Sequence, residues 1–202
     1  MLEQNELYPV FLKVAALNVL IVGGGNVGFE KLTFLLKSSP GAKVTMVSKV
    51  FNSEVIALAN RFKVLLVEDA YNSSYLSGKQ IVIATTDNLE VNLQVYNDCK
   101  EANILVNLAD NPAYCDFYMG GIVTKGHVKI AISTNGKSPT AAKRLRQFFE
   151  EILPDNINEL VENLNSYRKT IKGDFEDKVS KMNELTKEMI KIKKDDQISD
   201  NP

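Results

Sequence analysis

The feature that most constrains this chain is the glycine-rich run GGGNVG at residues 23–28, which directly follows the apolar run NVLIV at residues 18–22. A continuous run of β-branched and apolar residues is typical of a strand buried inside a parallel sheet. Residues 26–37 then carry apolar side chains at helical spacing. A glycine run between a strand and a helix predicts a turn that binds the pyrophosphate of a dinucleotide; the alternative is a structural glycine turn in an unrelated α/β protein.

Each residue type in this turn has an expected role. Gly23 permits the tight turn, Gly25 lets the backbone approach the phosphates, and Gly28 lets the helix pack closely on the strand. Asn26 and Val27 begin the helix, whose N-terminal amides attract the phosphate charge. We therefore predict that these five residues bind the cofactor.

The rest of the first half of the chain alternates between strands and helices. The predicted strands are residues 43–47, 64–67, 81–84 and 104–106, and the predicted helices are residues 53–61 and 88–101. This alternation predicts a Rossmann-type α/β fold with a parallel sheet, which we assign to a domain at residues 1–112.

The pattern changes after this domain. Residues 117–124 and 128–133 predict a β-hairpin whose strands are joined by Lys125 and Gly126. Ser138-Pro139 is a strong helix start, and the helix is expected to reach about residue 153.

The remaining sequence is helical in pattern. Residues 156–194 predict two helices hinged near Gly173, and residues 195–202 are expected to fray. We assign residues 113–153 to a middle region and residues 154–202 to a helical C-terminal domain.

The overall composition excludes several classes of function. A formal net charge of -1 gives no general attraction to nucleic acid or to an acidic membrane surface. Cys99 and Cys115 form no CxxC pair, which argues against a disulfide framework or a structural metal site and fits a reducing compartment. No apolar run is long enough to span a membrane, and the N-terminus lacks the basic start of a signal peptide. We therefore expect a cytoplasmic protein without a metal, nucleic-acid or membrane partner.

The end of the second strand leaves the choice of dinucleotide open. Folds of this type usually carry an acid there, which binds the ribose 2′-hydroxyl, but this chain has Ser48 and Lys49. Ser48 could bond a hydroxyl, and Lys49 could either accept a 2′-phosphate or be a solvated lysine.

The ends of the next two strands supply further cofactor candidates. Thr85 and Asp87 are expected to contact the ribose or the nicotinamide, although Asp87 or Asn88 could equally be the N-cap of the following helix. Asn107 ends the fifth strand and is also assigned to the cofactor.

Five motifs follow one another in order along the chain. They are VGGGNV at 22–27 with Lys31, ATTD at 84–87 with Asn92, VNLADNP at 106–112, CDF at 115–117, and AISTNGKSP at 131–139. In these motifs and their spacing the chain resembles the precorrin-2 dehydrogenases of siroheme synthesis. That family includes the yeast-type bifunctional dehydrogenase/ferrochelatase and the N-terminal module of bacterial siroheme synthase. The resemblance spans about residues 8–150, and the run at 131–139 is its most specific part.

The resemblance implies an activity and an architecture. It implies NAD-dependent oxidation of precorrin-2 to sirohydrochlorin, and in some members also insertion of Fe²⁺ to give siroheme. It makes residues 113–153 a dimerisation region of a homodimer, which the open edges of a hairpin also favour. The family's catalytic aspartate corresponds to Asp110, for which the alternative is an Asx-turn residue before Pro112.

The carboxylates of a tetrapyrrole substrate need cationic hosts. Lys137 is the best placed, and we assign it to the substrate together with Arg144 and with Ser133 and Thr134, which lie in the family's polar turn. In the fused enzyme a serine of this turn can carry a regulatory phosphate, and Thr134 aligns with that serine. Further cationic candidates, whose alternative is a solvated helix face, are Lys125, Lys129, Lys143 and Arg146.

Two other hypotheses compete with that of a precorrin-2 dehydrogenase. An NAD-sensing regulatory domain would need the glycine turn but neither Asp110 nor the run at 131–139. A dehydrogenase for an unrelated small molecule would need a different substrate domain. His127 is predicted to be a surface residue and Cys115 a buried thiol, not metal ligands.

Overall fold

A computed structural model describes residues 5–187 of the chain. Among these, residues 5–122 with 130–148 form one compact unit, and residues 123–129 with 149–187 form another. The first unit carries a parallel sheet flanked by helices, which confirms the predicted α/β class. The domain boundaries expected near residues 112 and 153 stay predictions.

The sheet of the first unit has the strand order β3-β2-β1-β4-β5, with all neighbouring pairs parallel. Its strands are β1 (Asn18–Val22), β2 (Lys43–Ser48), β3 (Leu65–Glu68), β4 (Ile81–Ala84) and β5 (Leu105–Leu108). The helices between them are α1 (Asn26–Ser38), α2 (Ser53–Phe62) and α3 (Leu89–Glu101).

Both faces of the sheet are buried, which explains why β4 and residues 19–22 of β1 are apolar throughout. Val19 and Ile21 of β1 pack in a core cluster with residues of α1 and α2. Leu20 and Val22 point to the other face and pack with residues of α3. Alternate residues of one strand thus fill two cores, as a doubly wound sheet requires.

Short polar side chains start the helices where the sequence pattern indicated. The Asn52 Oδ1 atom accepts from Val55 N at 2.8 Å at the start of α2. Asn88 is the N-cap of α3, and its Oδ1 atom accepts from Glu90 N at 2.9 Å. Ser138 Oγ accepts from Ala141 N at 3.1 Å, in front of a helix that begins at Pro139.

The hairpin consists of β6 (Gly121–Lys125) and β7 (Val128–Ile132), followed by α4 (Pro139–Ile152). Its first strand begins at Gly121, so the prediction of a strand from residue 117 is wrong. The preceding segment lies along β5 instead: Asp116 N donates to Val106 O at 2.8 Å. Lys125 belongs to β6, so the turn is formed by Gly126 and His127.

The second unit contains α5 (Ile157–Thr170) and α6 (Phe175–Thr186). They are separated near Gly173, whose φ of +121° only glycine adopts readily, which agrees with the predicted hinge. The predicted helix over residues 188–194 and the frayed end lie outside the described residues. From residue 5 to residue 187, no helix is both long and apolar enough to cross a bilayer.

Candidate active site

The glycine turn lies at the point where the strand order reverses. β1 lies between β2 and β4, and Val22 at its end is in register with Val47 and Ala84. The Gly23 N–H continues the ladder by donating to Val47 O at 2.9 Å. In open α/β sheets, ligands bind in the crevice at this reversal, beyond the carboxyl ends of the strands.

The three motif glycines differ in what surrounds them. Gly23 has a φ of +116°, and a Cβ there would lie 2.6 Å from Thr85 Oγ1. A Cβ on Gly28 would overlap the carbonyl oxygen of Gly23. A Cβ on Gly25 would meet no protein atom within 4 Å. Gly23 and Gly28 are therefore required by the turn itself, whereas Gly25 faces open space where a ligand fits.

The start of α1 has the features of a phosphate site. Its N-cap is Gly25, which has no side chain to cap the helix. Asn26 is exposed and accepts from Asn52 Nδ2 at 3.3 Å, and Val27 follows it in the first turn. Backbone amides at an uncapped helix N-terminus bind anions, so this turn fits the pyrophosphate of a dinucleotide.

The loop after β2 packs directly on the glycine turn. Asn52 N donates to Gly24 O at 3.0 Å, and a Cβ on Gly24 would overlap Val50 O. Ser48 Oγ donates to Val50 O at 2.8 Å, which leaves its oxygen able to accept a hydrogen bond. Lys49 is exposed. Both residues thus lie where the ribose-binding acid of related folds stands, and their assignment to the cofactor stays a prediction.

The two residues predicted after β4 have different environments. Thr85 is buried, and its hydroxyl donates to Val22 O at 2.9 Å, so it holds the residue that immediately precedes the glycine turn. Asp87 is exposed and does not cap α3, because Asn88 does. The capping role left open by the sequence therefore belongs to Asn88.

Asp110 lies in a turn that is held at several points. Asn111 N donates to Leu108 O at 3.2 Å, and Asp110 has a φ of +61°. The Cys115 thiol lies 3.2 Å from Leu108 O and 3.3 Å from Asn111 O, so its hydrogen is directed at the two carbonyl groups that flank the turn. Burial raises the pKa of this thiol, which keeps its hydrogen in place.

A cavity of about 400 Å³ within the first unit brings together four of the predicted site residues. These are Asn107, Asp110, Ser133 and Thr134. The cavity is also lined by Glu30, Lys31 and Phe34 of α1, which begins at the glycine turn, and by residues of α4.

Two predicted substrate residues do not line this cavity. Lys137 lies in the turn before α4, and Arg144 Nη1 donates to Gln147 Oε1 at 3.1 Å on the helix surface. The cations that do line it are Lys143 and Arg146 of α4 and Lys31 of α1. Lys143 and Arg146 share a helix face with Pro139 and Ala142, because residues three and four apart point the same way.

The site therefore contains one cation that the sequence reasoning missed. Lys31 is 20% exposed at its side chain, and its Nζ atom lies 3.0 Å from Glu30 Oε1. It appeared in the sequence only as part of a motif. Its position one and a half turns into the helix that starts at Asn26 was the available signal.

The polar turn before α4 is closed by its own side chains. Thr134 Oγ1 donates to Ser138 O at 3.1 Å, and Ser133 Oγ accepts from Asn135 N at 3.1 Å. Asn135 and Gly136 have φ values of +52° and +72°. The turn is thus preorganised, and both Ser133 and Thr134 line the cavity.

Two other residues belong to the second unit, where Lys125 contacts the segment before α5 and His127 contacts α5. Lys125 Nζ donates to the Leu153 carbonyl oxygen and to Asp155 Oδ1, the latter at 2.9 Å. His127 is 66% exposed at its side chain, with Nε2 3.4 Å from Glu162 Oε1. No group of three His, Cys, Asp or Glu residues suited to a metal ion occurs in the described range 5–187.

Comparisons with known proteins match both parts of this arrangement. A family model described as "Putative NAD(P)-binding" matches residues 10–121, and one described as "Sirohaem biosynthesis protein central" matches residues 125–152. The siroheme synthase of Psychrobacter arcticus is 36% identical over 166 residues, which cover 82% of this chain and 30% of that protein. The siroheme synthase of Pseudoalteromonas atlantica is 35% identical over 170 residues, covering 84% of this chain and 36% of that protein. The chain thus spans about a third of the length of these relatives.

One solved structure has the same fold over nearly the whole chain. It is SirC, a precorrin-2 dehydrogenase, with a TM-score of 0.71 and 21% sequence identity. The match covers 91% of this chain and 89% of that chain.

Proposed function

We propose that this chain, which belongs to the family of putative NAD(P)-binding proteins, oxidises precorrin-2 to sirohydrochlorin with NAD. The resemblance to siroheme-synthesis proteins that its motifs indicated is confirmed by the matches above. The observation that carries the proposed activity is the cavity in which Asp110 and three cations lie at the end of the sheet that binds the dinucleotide.

The cofactor half of the proposal rests on the glycine turn. Gly25 faces open space, and the uncapped amides of α1 are available to the pyrophosphate. Bound NAD would supply the hydride acceptor. Ser48 stands where related folds carry the acid that binds the ribose, so the assignment of NAD rests on the resemblance. Lys49 is the residue that would tolerate a 2′-phosphate.

The substrate half rests on charge. Lys31, Lys143 and Arg146 line the cavity, and fixed cations are suitable partners for the carboxylates of a tetrapyrrole. Ser133 and Thr134 line the same cavity. We also propose Lys137 and Arg144 as substrate contacts, although neither residue lines the cavity.

The proposed oxidation removes one hydride and one proton from the reduced ring. NAD held at the glycine turn would supply the hydride acceptor, and the Asp110 carboxylate would accept the proton and pass it to solvent. Asp110 is exposed at the cavity wall, so the proton has a path to water. Positioning of the ring against the cofactor by the cationic side chains is the other expected contribution.

The assay for this proposal is anaerobic incubation of the purified chain with precorrin-2 and NAD. We expect the absorption spectrum of sirohydrochlorin together with an equal amount of NADH. Asp110→Asn should lower kcat by about 10²-fold or more with NAD affinity unchanged, because Asn also tolerates the positive φ at this position. NAD binding without turnover would instead favour the NAD-sensing alternative.

The same assay with Fe²⁺ tests a second proposed activity, insertion of iron into sirohydrochlorin. The expected outcome is conversion of the sirohydrochlorin spectrum to that of siroheme, faster than without protein.

We propose that both reactions occur in the cytoplasm, since both free thiols, Cys99 and Cys115, suit a reducing compartment.

We also propose that the chain forms a homodimer. Leu145 is 43% exposed and Phe148 is 53% exposed, three residues apart on α4. Apolar side chains exposed side by side on a helix favour burial against a partner. Sedimentation equilibrium should give twice the chain mass, and Leu145→Glu should shift it toward the monomer.

A further inference from the structure

Asn107 is a buried residue at the wall of the cavity. It lies in β5, and only 7% of it is exposed. Its Nδ2 atom donates to Phe117 O at 2.8 Å and lies 3.2 Å from Cys115 Sγ. Because the Phe117 carbonyl can only accept a hydrogen bond, the orientation of the amide is fixed. Nδ2 faces the 115–117 segment, and Oδ1 faces away from it.

The Asn107 Oδ1 atom has no donor among the residues that the structure describes. No hydrogen bond from residues 5–187 reaches it, and no buried side-chain nitrogen or oxygen in that range lacks a partner. Oδ1 therefore has access to solvent, and the cavity that Asn107 lines is the opening available to it. A nearly buried acceptor at a cavity wall is a binding group for a ligand that carries a donor.

Asn92 provides a direct contrast within the same unit. It is 6% exposed, so its burial matches that of Asn107. Its Oδ1 atom accepts from Thr86 N at 3.1 Å and from Thr86 Oγ1 at 2.7 Å, and its Nδ2 atom donates to Thr86 O at 2.8 Å. Both the oxygen and the nitrogen of the Asn92 amide are thus bonded within the protein, whereas the oxygen of the Asn107 amide is not.

We propose that Asn107 Oδ1 accepts a hydrogen bond from an N–H group of the ligand in this cavity, and that Phe117 and Cys115 hold it in the accepting orientation. The inference rests on the proposed function for the identity of the ligands. Two of them carry such a group: the carboxamide of the nicotinamide, and the pyrrole-type N–H groups of the tetrapyrrole. A ligand without the N–H group leaves Oδ1 unpaired and binds more weakly.

Equilibrium binding titrations with pairs of ligands show which of the two ligands supplies the N–H group. The first pair is NAD and its 3-acetylpyridine analogue, in which a methyl group replaces the amide nitrogen. The second pair is sirohydrochlorin and its cobalt complex, in which the metal replaces the ring N–H groups. We expect the wild-type chain to prefer the N–H ligand of one pair by about tenfold, the loss typical of one hydrogen bond left unmade.

In Asn107→Ala the ratio of the two affinities should fall close to one. Asn107→Ser is a smaller change, to be used if the alanine variant does not fold. Asn92→Ala is the matched control, which should lose stability but keep the preference. Equal preferences in the Asn107 and Asn92 variants, or no preference in either pair for the wild-type chain, would overturn the inference. These titrations need no turnover, so a failure of the proposed oxidation would be seen separately as NAD binding without NADH formation.

Discussion

The Cys115 thiol lies 3.3 Å from the carbonyl oxygen of Asn111, and this contact ties the segment after the Asp110 turn back onto the turn itself. The same sulfur lies 3.2 Å from Leu108 O, on the other side of Asp110. A residue with positive φ persists only where its surroundings hold it. We therefore expect Cys115 to act as a positioning residue for the proposed catalytic carboxylate.

Removal of this thiol should slow the reaction more than it weakens binding. Cys115→Ala leaves two carbonyl groups without their shared donor, so we expect kcat to fall about tenfold. KM should change little, because the bond from Asn107 Nδ2 to Phe117 O remains and still holds the Asn107 amide. Cys115→Ser keeps a donor at the same position and should recover most of the rate. Steady-state kinetics of both variants check this; an unchanged kcat in Cys115→Ala would remove the positioning role.

The glycine turn permits a test that separates folding from cofactor binding. Gly25→Val adds a side chain in open space, so the protein should fold normally and lose NAD affinity by at least about 10²-fold. Gly28→Val is the contrasting variant, because its side chain would overlap the Gly23 carbonyl and should destabilise the fold itself. Calorimetric titration with NAD and thermal unfolding measure the two effects, and normal NAD affinity in Gly25→Val would contradict the assignment of the turn.

The fold could be predicted from the sequence because its signals are local. The glycine run, the apolar run of β1 and the Ser138-Pro139 helix start each lie within a few residues of the structure they specify. The start of the hairpin could not be predicted in this way. Phe117 has strand-like neighbours, but the chain there is held by Asn107 and by the bond from Asp116 to Val106, and these contacts join distant parts of the sequence.

The sequence motifs indicated the acid and the polar turn of the candidate site, but they did not separate the cations that line the cavity from those that do not. Asp110 and Thr134 stand in motifs, and both line the cavity. Arg144 and Arg146 are the same residue type two positions apart on α4. They differ in the direction of the side chain, and only Arg146 lines the cavity. That direction follows from how α4 packs in its unit, which the sequence pattern alone does not specify.

This difference between the two arginines is itself a prediction. Arg146→Gln and Lys143→Gln should each raise KM for precorrin-2 by about five- to tenfold, since each removes one charge from the cavity wall. Arg144→Gln removes the same charge from a position that does not line the cavity, and should change KM less than about twofold. Steady-state kinetics at fixed NAD compare the variants, and a larger effect for Arg144→Gln would restore the assignment made from the sequence.

The stability of the chain should decline in alkali because of Cys99. This thiol is fully buried, and burial followed by the nearby Asp98 charge raises its pKa from 9.0 to about 12. Between these values the unfolded chain has lost the thiol proton and the folded chain has kept it, so the free energy of unfolding should fall by about 1 kcal/mol per pH unit. The contribution is fully present below pH 9 and is lost as the pH rises toward 12. Urea unfolding of wild type and Cys99→Ala at neutral and alkaline pH measures this free energy. The variant should be less stable than wild type at neutral pH but should lose less stability as the pH rises. An equal loss of stability in the two proteins would show that Cys99 does not titrate as its burial requires.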